Sequence, residues 1–337
     1  MKQEFRRPGI SRRHFLSGSA ALAGISWLGS GREAQAEPPP EITTIRMEDF
    51  PAICLVPQYL AEELLYAEGF SKVKYLKNVA NVVSDPETVD MFMLAAPMLV
   101  ANWDADPRLT ALAGIHAGCQ ELFGNERVGA IRDLKGKSVV ISELGSDEHV
   151  FLSSVAAYVG IDPRKDIDWR VAKSTDAALQ YFIDGKADAF LGLEPQPQLL
   201  REKKIGHVIL NTAQDKPWSH YFCCMVAANK DFVRRYPVAT KRALRAFLKA
   251  SDLCEEDPER AARFMKDKGH EPRYDLALNA IRNLRFNRWR EANPEDTLRF
   301  HALRLHEVGM IKTHPNKLLA QATDWRFLNE LKKELKA

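Results

Sequence analysis

Asp133-Leu134-Lys135-Gly136-Lys137-Ser138-Val139-Val140-Ile141-Ser142 reads as a polar turn feeding a short β-branched strand, and Gly145-Ser146-Asp147-Glu148 behind it opens a helix. Ser146 is the N-cap and the two acids sit in the first turn, where the helix dipole favours them. Val150, Phe151, Val155 and Val159 fall on one helical face and Gly160 stops it. A second helix closes at 179–183 before Gly185, and Ala187-Asp188-Ala189-Phe190-Leu191-Gly192 is the next strand. Strand, helix, strand at this spacing predicts βαβ units and a largely parallel sheet.

The same alternation extends in both directions. Upstream, strands are expected at 42–47, 73–76, 89–94 and 109–115, with a helix that starts after Pro57, carries Leu60, Leu64 and Leu65 on one face, and ends at Gly69. Downstream, 208–210 and 222–227 continue the strands. From Pro237 the pattern becomes helical throughout, over 239–253, 258–268, 274–284, 294–308 and 324–335. Two α/β series followed by helices predict two lobes with a cleft between them.

The N-terminus is not part of that fold. Ser11-Arg12-Arg13-His14-Phe15-Leu16, an apolar run to Leu28 and then Ala34-Gln35-Ala36 are the parts of a secretion signal. The run is shorter than the roughly 20 residues that span a bilayer. It resembles a twin-arginine (Tat) signal, which implies export of the folded chain by the Tat translocase, and no Cys follows it to carry a lipid anchor. Cleavage after Ala36 leaves Glu37-Pro38-Pro39-Pro40, a stiff extended spacer over 37–41.

Removing 1–36 also removes the charge. The 337 residues carry 48 Lys+Arg and 45 Asp+Glu, net +3; the signal holds six of the former and two of the latter, which leaves 42 against 43, net −1. Nothing basic remains to attract nucleic acid. The five cysteines, Cys54, Cys119, Cys223, Cys224 and Cys254, do not make a disulfide framework, and an odd number in an oxidising compartment requires a free thiol or an intermolecular bond. Several are expected to be small buried hydrophobes.

Four segments in order resemble the NitT/TauT-type solute-binding proteins, the periplasmic receptors of nitrate, sulfonate, taurine and thiamine-pyrimidine ABC importers. They are Pro57-Gln58-Tyr59-Leu60-Ala61-Glu62-Glu63 through Glu68-Gly69-Phe70; Asp133-Leu134-Lys135-Gly136-Lys137 with Gly145-Ser146; Gly185-Lys186-Ala187-Asp188-Ala189-Phe190 with Glu194-Pro195; and Asn229-Lys230-Asp231-Phe232-Val233-Arg234-Arg235-Tyr236-Pro237. The resemblance implies an α/β, two-lobed, periplasmic-binding-protein-like type II fold that closes on its ligand by a hinge motion. Lobe I would be 42–130 plus 229–337 and lobe II 131–228. It also implies a periplasmic, soluble, monomeric protein whose partners are a small-molecule ligand and an ABC permease and ATPase complex.

Ligands of open α/β sheets sit beyond the carboxyl ends of the strands. That rule selects Cys54, Gln58 and Tyr59, then Ala96, His116 and Cys119, from the first lobe, and Gly145, Ser146, His149, Glu194, Tyr221 and Cys223 from the second. Gly145 and Ser146 at a helix N-terminus suit an anion or carbonyl oxygen, although Ser146 is equally a plain N-cap. Glu194 follows an apolar strand, where a carboxylate needs a partner: a basic or donor end of the ligand, or an internal cation. Gln58, Tyr59, His116 and His149 would shape the walls, and Tyr59 and Tyr221 either stack on a planar ligand or belong to the core. His116, Cys119 and His149 provide too few local ligands for a metal site, so neither metal nor cofactor is expected. Adjacent Cys223 and Cys224 point to opposite faces of a strand.

The expected function is delivery of a small organic solute, sulfonate- or taurine-like or a pyrimidine, to an importer without chemistry. The absence of an evident Arg or Lys in the selected loops weighs against nitrate. Two alternatives keep the fold: an enzyme resembling the thiamine-pyrimidine synthases, of whose cysteine-rich run Phe222-Cys223-Cys224-Met225 is a fragment, and a periplasmic sensor subunit for a membrane kinase. The chain has no G-x-S-x-G, G-x-G-x-x-G or H-E-x-x-H motif to support a hydrolase, dehydrogenase or metalloprotease.

Overall fold

The protein was analysed as a computed structural model that describes residues 37–50, 52–77 and 89–336. The expected signal, residues 1–36, lies outside them. Residues 39–337 make one compact unit. Its elements in order are β1 (Thr44–Glu48), α1 (Val56–Ala67), β2 (Lys72–Leu76), β3 (Met91–Ala95), α2 (Ala96–Ala105), β4 (Leu109–Ala117), β5 (Gln120–Gly124), β6 (Lys137–Ile141), α3 (Asp147–Tyr158), β7 (Ile167–Val171), α4 (Thr175–Ile183), β8 (Ala189–Leu193), α5 (Gln196–Lys203), β9 (His207–Asn211), β10 (Phe222–Asn229), α6 (Lys230–Arg235), α7 (Pro237–Glu256), α8 (Pro258–Asp267), α9 (Tyr274–Asn283), α10 (Pro294–Glu307), α11 (Pro315–Ala322) and α12 (Arg326–Glu334). Within it, the Glu41 carboxylate accepts the backbone N–H groups of Val238 and Ala239 and so caps α7.

Three sheets form: β1-β2, β3-β10-β4 and β7-β6-β8-β5-β9. The expected largely parallel sheet is corrected here. β6 runs parallel to β7 and β8, but β5 is antiparallel to β8 and β9, and β10 is antiparallel to β3 and β4. The cause is an exchange of strands. A division at 130/131 and 228/229 would leave β5 with the first sheet and β10 with the second, whereas hydrogen bonding puts β5 in the five-stranded sheet and β10 in the three-stranded one. Each runs antiparallel to its new neighbours, which makes the five-stranded sheet mixed and leaves the three-stranded sheet antiparallel throughout.

Side-chain alternation then places two cores on the five-stranded sheet. Leu122, Val139, Ala189 and Leu191 face α3 through Leu152 and Val155; their neighbours Phe123, Val140 and Phe190 face α4 and α5 through Ala178, Phe182 and Leu200. A third, larger core joins β1, β3, β4 and β10 to α1, α2 and the C-terminal helices around Phe247, Phe286 and Trp289.

The chain passes from one sheet to the other at Gly118-Cys119-Gln120. Gly118 has φ +70°, and a Cβ there would lie 2.5 Å from the Cα of Ala213, so conformation and space both require glycine. Thr212, on the return crossing, staples this joint: its hydroxyl accepts the N–H groups of Cys119 and Gln120 and donates to the Gln120 carbonyl.

The Gly185–Ala189 motif has a structural purpose. Gly185 ends α4 at φ +69°, and Asp188, just before β8, accepts from the backbone N–H and hydroxyl of Ser138, from Asn125 Nδ2 and from the Arg127 guanidinium. Burial pushes its carboxyl up, but these donors outweigh burial and hold it below the usual carboxylate range. Asp188→Ala is expected to lower unfolding free energy by about 2–3 kcal/mol at neutral pH. Because the native pKa is depressed, that difference shrinks as pH falls through the carboxylate range; denaturant melts at pH 7 and pH 3 measure it, and an equal loss at both would contradict the assignment.

Candidate ligand cleft

Strand ends from all three sheets and the start of α3 surround a cleft of about 370 Å³. From the first group come Glu48 at the end of β1, Cys54 in the 3-10 turn Ile53–Leu55, Met93 to Ala95 at the end of β3, Met98 of α2, and Cys223 and Cys224 of β10. The second group supplies Gln120, Ser142 and Glu143 after β6, Ser146, Asp147 and Glu148, Thr175 at the start of α4, and Leu191 and Leu193 of β8. The carboxyl ends of β1, β3, β6 and β8 and the start of β10 thus open on this cleft. Apolar side chains make most of the walls, and carboxylates, hydroxyls, an amide and thiols supply the polar groups.

Of the twelve residues selected from sequence, Cys54, Cys119, Ser146 and Cys223 line this cleft. The others have partners elsewhere. Gln58 is buried and bridges two strands, donating to the Glu48 carbonyl and accepting the Met93 N–H at 2.8 Å each. Tyr59 donates to Asp49 and packs its ring between Tyr75 and His270, which places it in the core. Ala96 is the fully buried first residue of α2, and the preceding Ala95 faces the cleft instead. His116 has no exposed surface and packs on Phe286. The Gly145 N–H donates to His149 Nδ1, and the His149 ring meets the edge of Trp169; neither lines the cleft. Tyr221 stacks on Phe300 beside a separate, water-sized cavity.

Glu194 is buried and accepts 2.8 Å from Gln198 Nε2, so its partner belongs to the chain, though it is an amide rather than the cation weighed in the sequence. Arg201 pairs with Glu121 nearby. Burial pushes the Glu194 carboxyl up to about 7.

The cleft's electrostatics rest on residues that the sequence reading passed over. Burial raises Glu48 to about 7. Asp147 is raised to about 7 by burial, then by the charges of Glu148 and Cys54. Its Oδ2 accepts from Gln120 Nε2 at 2.8 Å, while Oδ1 is buried without a hydrogen-bond partner among the described residues. Glu148 Oε1 takes the Ser142 N–H at 2.7 Å. Ser146 accepts from the His149 N–H, which confirms the N-cap. The helix start that suggested an anion site carries two acids, Asp147 and Glu148, in its first turn, and its side-chain cap is Ser146. No Lys or Arg lines the cleft among the described residues. Glu48 could have been found by carrying the first strand one residue further, to its true carboxyl end.

The cysteines divide in two. Cys119 and Cys223 form a disulfide that ties the β4–β5 crossing to the start of β10, a pairing that their scattered spacing did not reveal. Cys54, Cys224 and Cys254 are free and buried. Cys54 and Cys224 line the cleft with His116 behind them; a hydrogen bond from Cys224, together with His116, draws the Cys54 thiol below its usual range against burial.

Residues 118–266 match a sequence model described as the NMT1-like family. The bicarbonate-binding protein CmpA of Synechococcus elongatus is 30% identical over 102 residues, 30% of this chain and 22% of CmpA. The chain thus spans about a fifth of the length of the curated relatives it matches. Among solved structures, the periplasmic nitrate-binding protein NrtA of Synechocystis aligns at TM-score 0.70 and 16% identity, over 88% of this chain and 90% of NrtA. The alkanesulfonate-binding protein SsuA of Xanthomonas axonopodis pv. citri, bound to MOPS, aligns at 0.66 and 15% over 86% and 99%. The desulfurization enzyme DSZB shares the fold more distantly, at 0.59 and 13% over 87% and 99%. The chain has the α/β periplasmic-binding-protein-like fold. No helix among the described residues is long and apolar enough to cross a membrane.

A raised carboxyl pKa makes stability fall as pH rises from the unfolded value towards the native one, since the unfolded chain releases its proton first. For Glu194 that window runs from about 4.5 to about 7. Glu194→Gln should remove about 2–3 kcal/mol of this pH-dependent loss. Urea unfolding at pH 5 and pH 7.5 reads it, and an unchanged slope in the variant would show that Glu194 is not the group responsible.

Proposed function

We propose that this chain is an exported solute receptor of an ABC importer, which closes two lobes around a small organic molecule and hands it on unaltered. The observation that carries the reading is the cleft itself: a cavity of about 370 Å³ ringed by strand ends from three sheets, of which the five-stranded one packs on cores separate from that of the other two. The relatives CmpA and NrtA are named as binding proteins, which supports the same class of activity. The signal-like residues 1–36 support export by the Tat translocase and a periplasmic location. The lobes in this reading exchange the two strands, with lobe II starting at β5 and ending before β10, and hinge movement falls at the Gly118–Gln120 and Thr212–Tyr221 crossings.

The ligand differs in charge from those in the relatives' names. Nitrate and bicarbonate need a cation or free N–H groups to replace their hydration. Here Glu48, Glu143, Asp147 and Glu148 line the cleft, and the α3 start is already capped. These acids favour a solute with an amine, amidine or similar donor end, and Met93, Leu94, Met98, Leu191 and Leu193 favour an apolar body. An aminopyrimidine fits this better than a sulfonate, whose anionic group would meet carboxylates. An enzymatic reading has one observation in its favour, the shared fold of DSZB.

A thermal-shift screen tests the proposal. Ligand at a hundred times its Kd stabilises the native state by about 2.7 kcal/mol, so donor-bearing organic solutes should raise Tm and nitrate, bicarbonate and simple sulfonates should not. Glu48→Gln should weaken the best hit by about tenfold, equivalent to 1.4 kcal/mol. Stabilisation by the anions alone would reverse the ligand assignment, and mass-spectrometric conversion of the hit during incubation would replace transport by catalysis.

A further inference from the structure

Cys54, His116 and Cys224 come from three separate parts of the chain, yet their ligand atoms all lie within 4.8 Å of one another and all three residues are buried. The fold builds this meeting point directly. His116 and Cys224 are register partners on adjacent antiparallel strands β4 and β10, so their side chains share one face. The 3-10 turn after β1 brings Cys54 over them. The disulfide engages Cys119 and Cys223 and leaves Cys54 and Cys224 as the thiols facing the cleft.

The imidazole supplies an independent observation. His116 Nδ1 lies 3.3 Å from the Gly118 carbonyl, a contact that places the ring proton on Nδ1. That leaves Nε2 as a bare lone pair, and Nε2 is buried without a hydrogen-bond partner among the described residues. A neutral histidine with one nitrogen tied to a backbone carbonyl and the other free is the arrangement that orients a metal-ligating imidazole. A buried nitrogen left without a full hydrogen bond is otherwise a cost of about 1–3 kcal/mol.

The geometry assigns Cys54, His116 and Cys224 as a binding site for one thiophilic d10 cation, Zn²⁺ or Cu⁺, in the wall of the cleft. Two sulfurs at the 2.3 Å zinc distance stand roughly 3.8 Å apart at the tetrahedral angle, so the cluster closes on an ion with small side-chain movements. Two sulfurs and an imidazole select soft or borderline ions over Mg²⁺ and Ca²⁺. Each thiol releases its proton to solvent on binding; two thiolates and a neutral imidazole then balance the charge of Zn²⁺. The fourth position opens on the cleft, where Asp147 Oδ1 also lacks a partner among the described residues. Cu⁺ would instead be held by the three protein ligands. The site does not depend on the transport reading, because the thiols and imidazole are poised whatever organic solute the cleft takes.

The test uses the full chain, purified with its free thiols kept reduced. Titration with Zn²⁺ against a chromophoric chelator should give one equivalent, and Co²⁺ in its place should show thiolate-to-metal charge-transfer absorption. Cys54→Ser, Cys224→Ser and His116→Gln should each weaken binding beyond the roughly 10–100-fold that loss of an outer-shell group costs, while Cys254→Ser should leave it unchanged. Displacement of bound Zn²⁺ by Cu⁺, but not the reverse, would identify Cu⁺ as the preferred ion. Circular dichroism of each variant separates lost ligation from lost fold, and the wild-type Co²⁺ spectrum needs no variant. Wild-type protein that shows no charge-transfer band, binding that survives all three substitutions, or recovery of Cys54 and Cys224 as a disulfide that binds no metal after reduction would overturn the site. None of these failures would touch the thermal-shift result for organic solutes.

Discussion

Burial of carboxyl groups at the strand ends, with no lysine or arginine among the described lining residues, is the constraint on which the cleft's chemistry depends. Glu48 and Asp147 are both pushed to about 7, chiefly by desolvation. A protein tolerates such groups either by holding them protonated or by giving them a positive partner. At neutral pH the first option holds only in part and fades as pH rises, which leaves room for a positive partner in the cleft. The same fold in NrtA and SsuA belongs to proteins named for anions, so the ligand's charge is set by side chains at the strand tips and not by the architecture.

The two crossings between sheets give that constraint its geometry. Gly118 turns where only glycine fits, Thr212 ties both crossings with one hydroxyl, and the Cys119–Cys223 disulfide repeats the tie covalently. These ties hold the two crossings side by side and set where β5 and β10 start, and with them Gln120 against Asp147 and Cys224 against His116. Binding groups on rigid elements keep their positions with little entropy lost on binding.

Much of the fold was legible because it is local. The Ser146 cap, the β-branched run before it, the Gly185 stop and the long C-terminal helices are each written in a few neighbouring residues. The exchange of β5 and β10 was not, since an apolar strand carries no local mark of which sheet will pair with it. The lobe limits drawn from sequence therefore fell about ten residues from the points where the chain changes sheets. The lining of the cleft was legible only in part for the same reason. Strand-end reasoning reached Cys54, Cys119, Ser146 and Cys223, but it could not know that Gln58 and Tyr59 would turn inward to satisfy Met93 and Asp49. Nor could it bring His116 to Cys224, a pairing made by β-sheet register alone.

Proton release on binding is the most direct test of a cleft that waits for positive charge. Calorimetric titration of a donor-bearing solute near pH 6, repeated in buffers of different ionisation enthalpy, counts the protons exchanged. A cation settling beside protonated Glu48 and Asp147 should expel about one proton or more per solute, and the release should fade towards pH 8, where both are already ionised. Proton uptake, or tight binding of a simple anion with no exchange at all, would contradict this account.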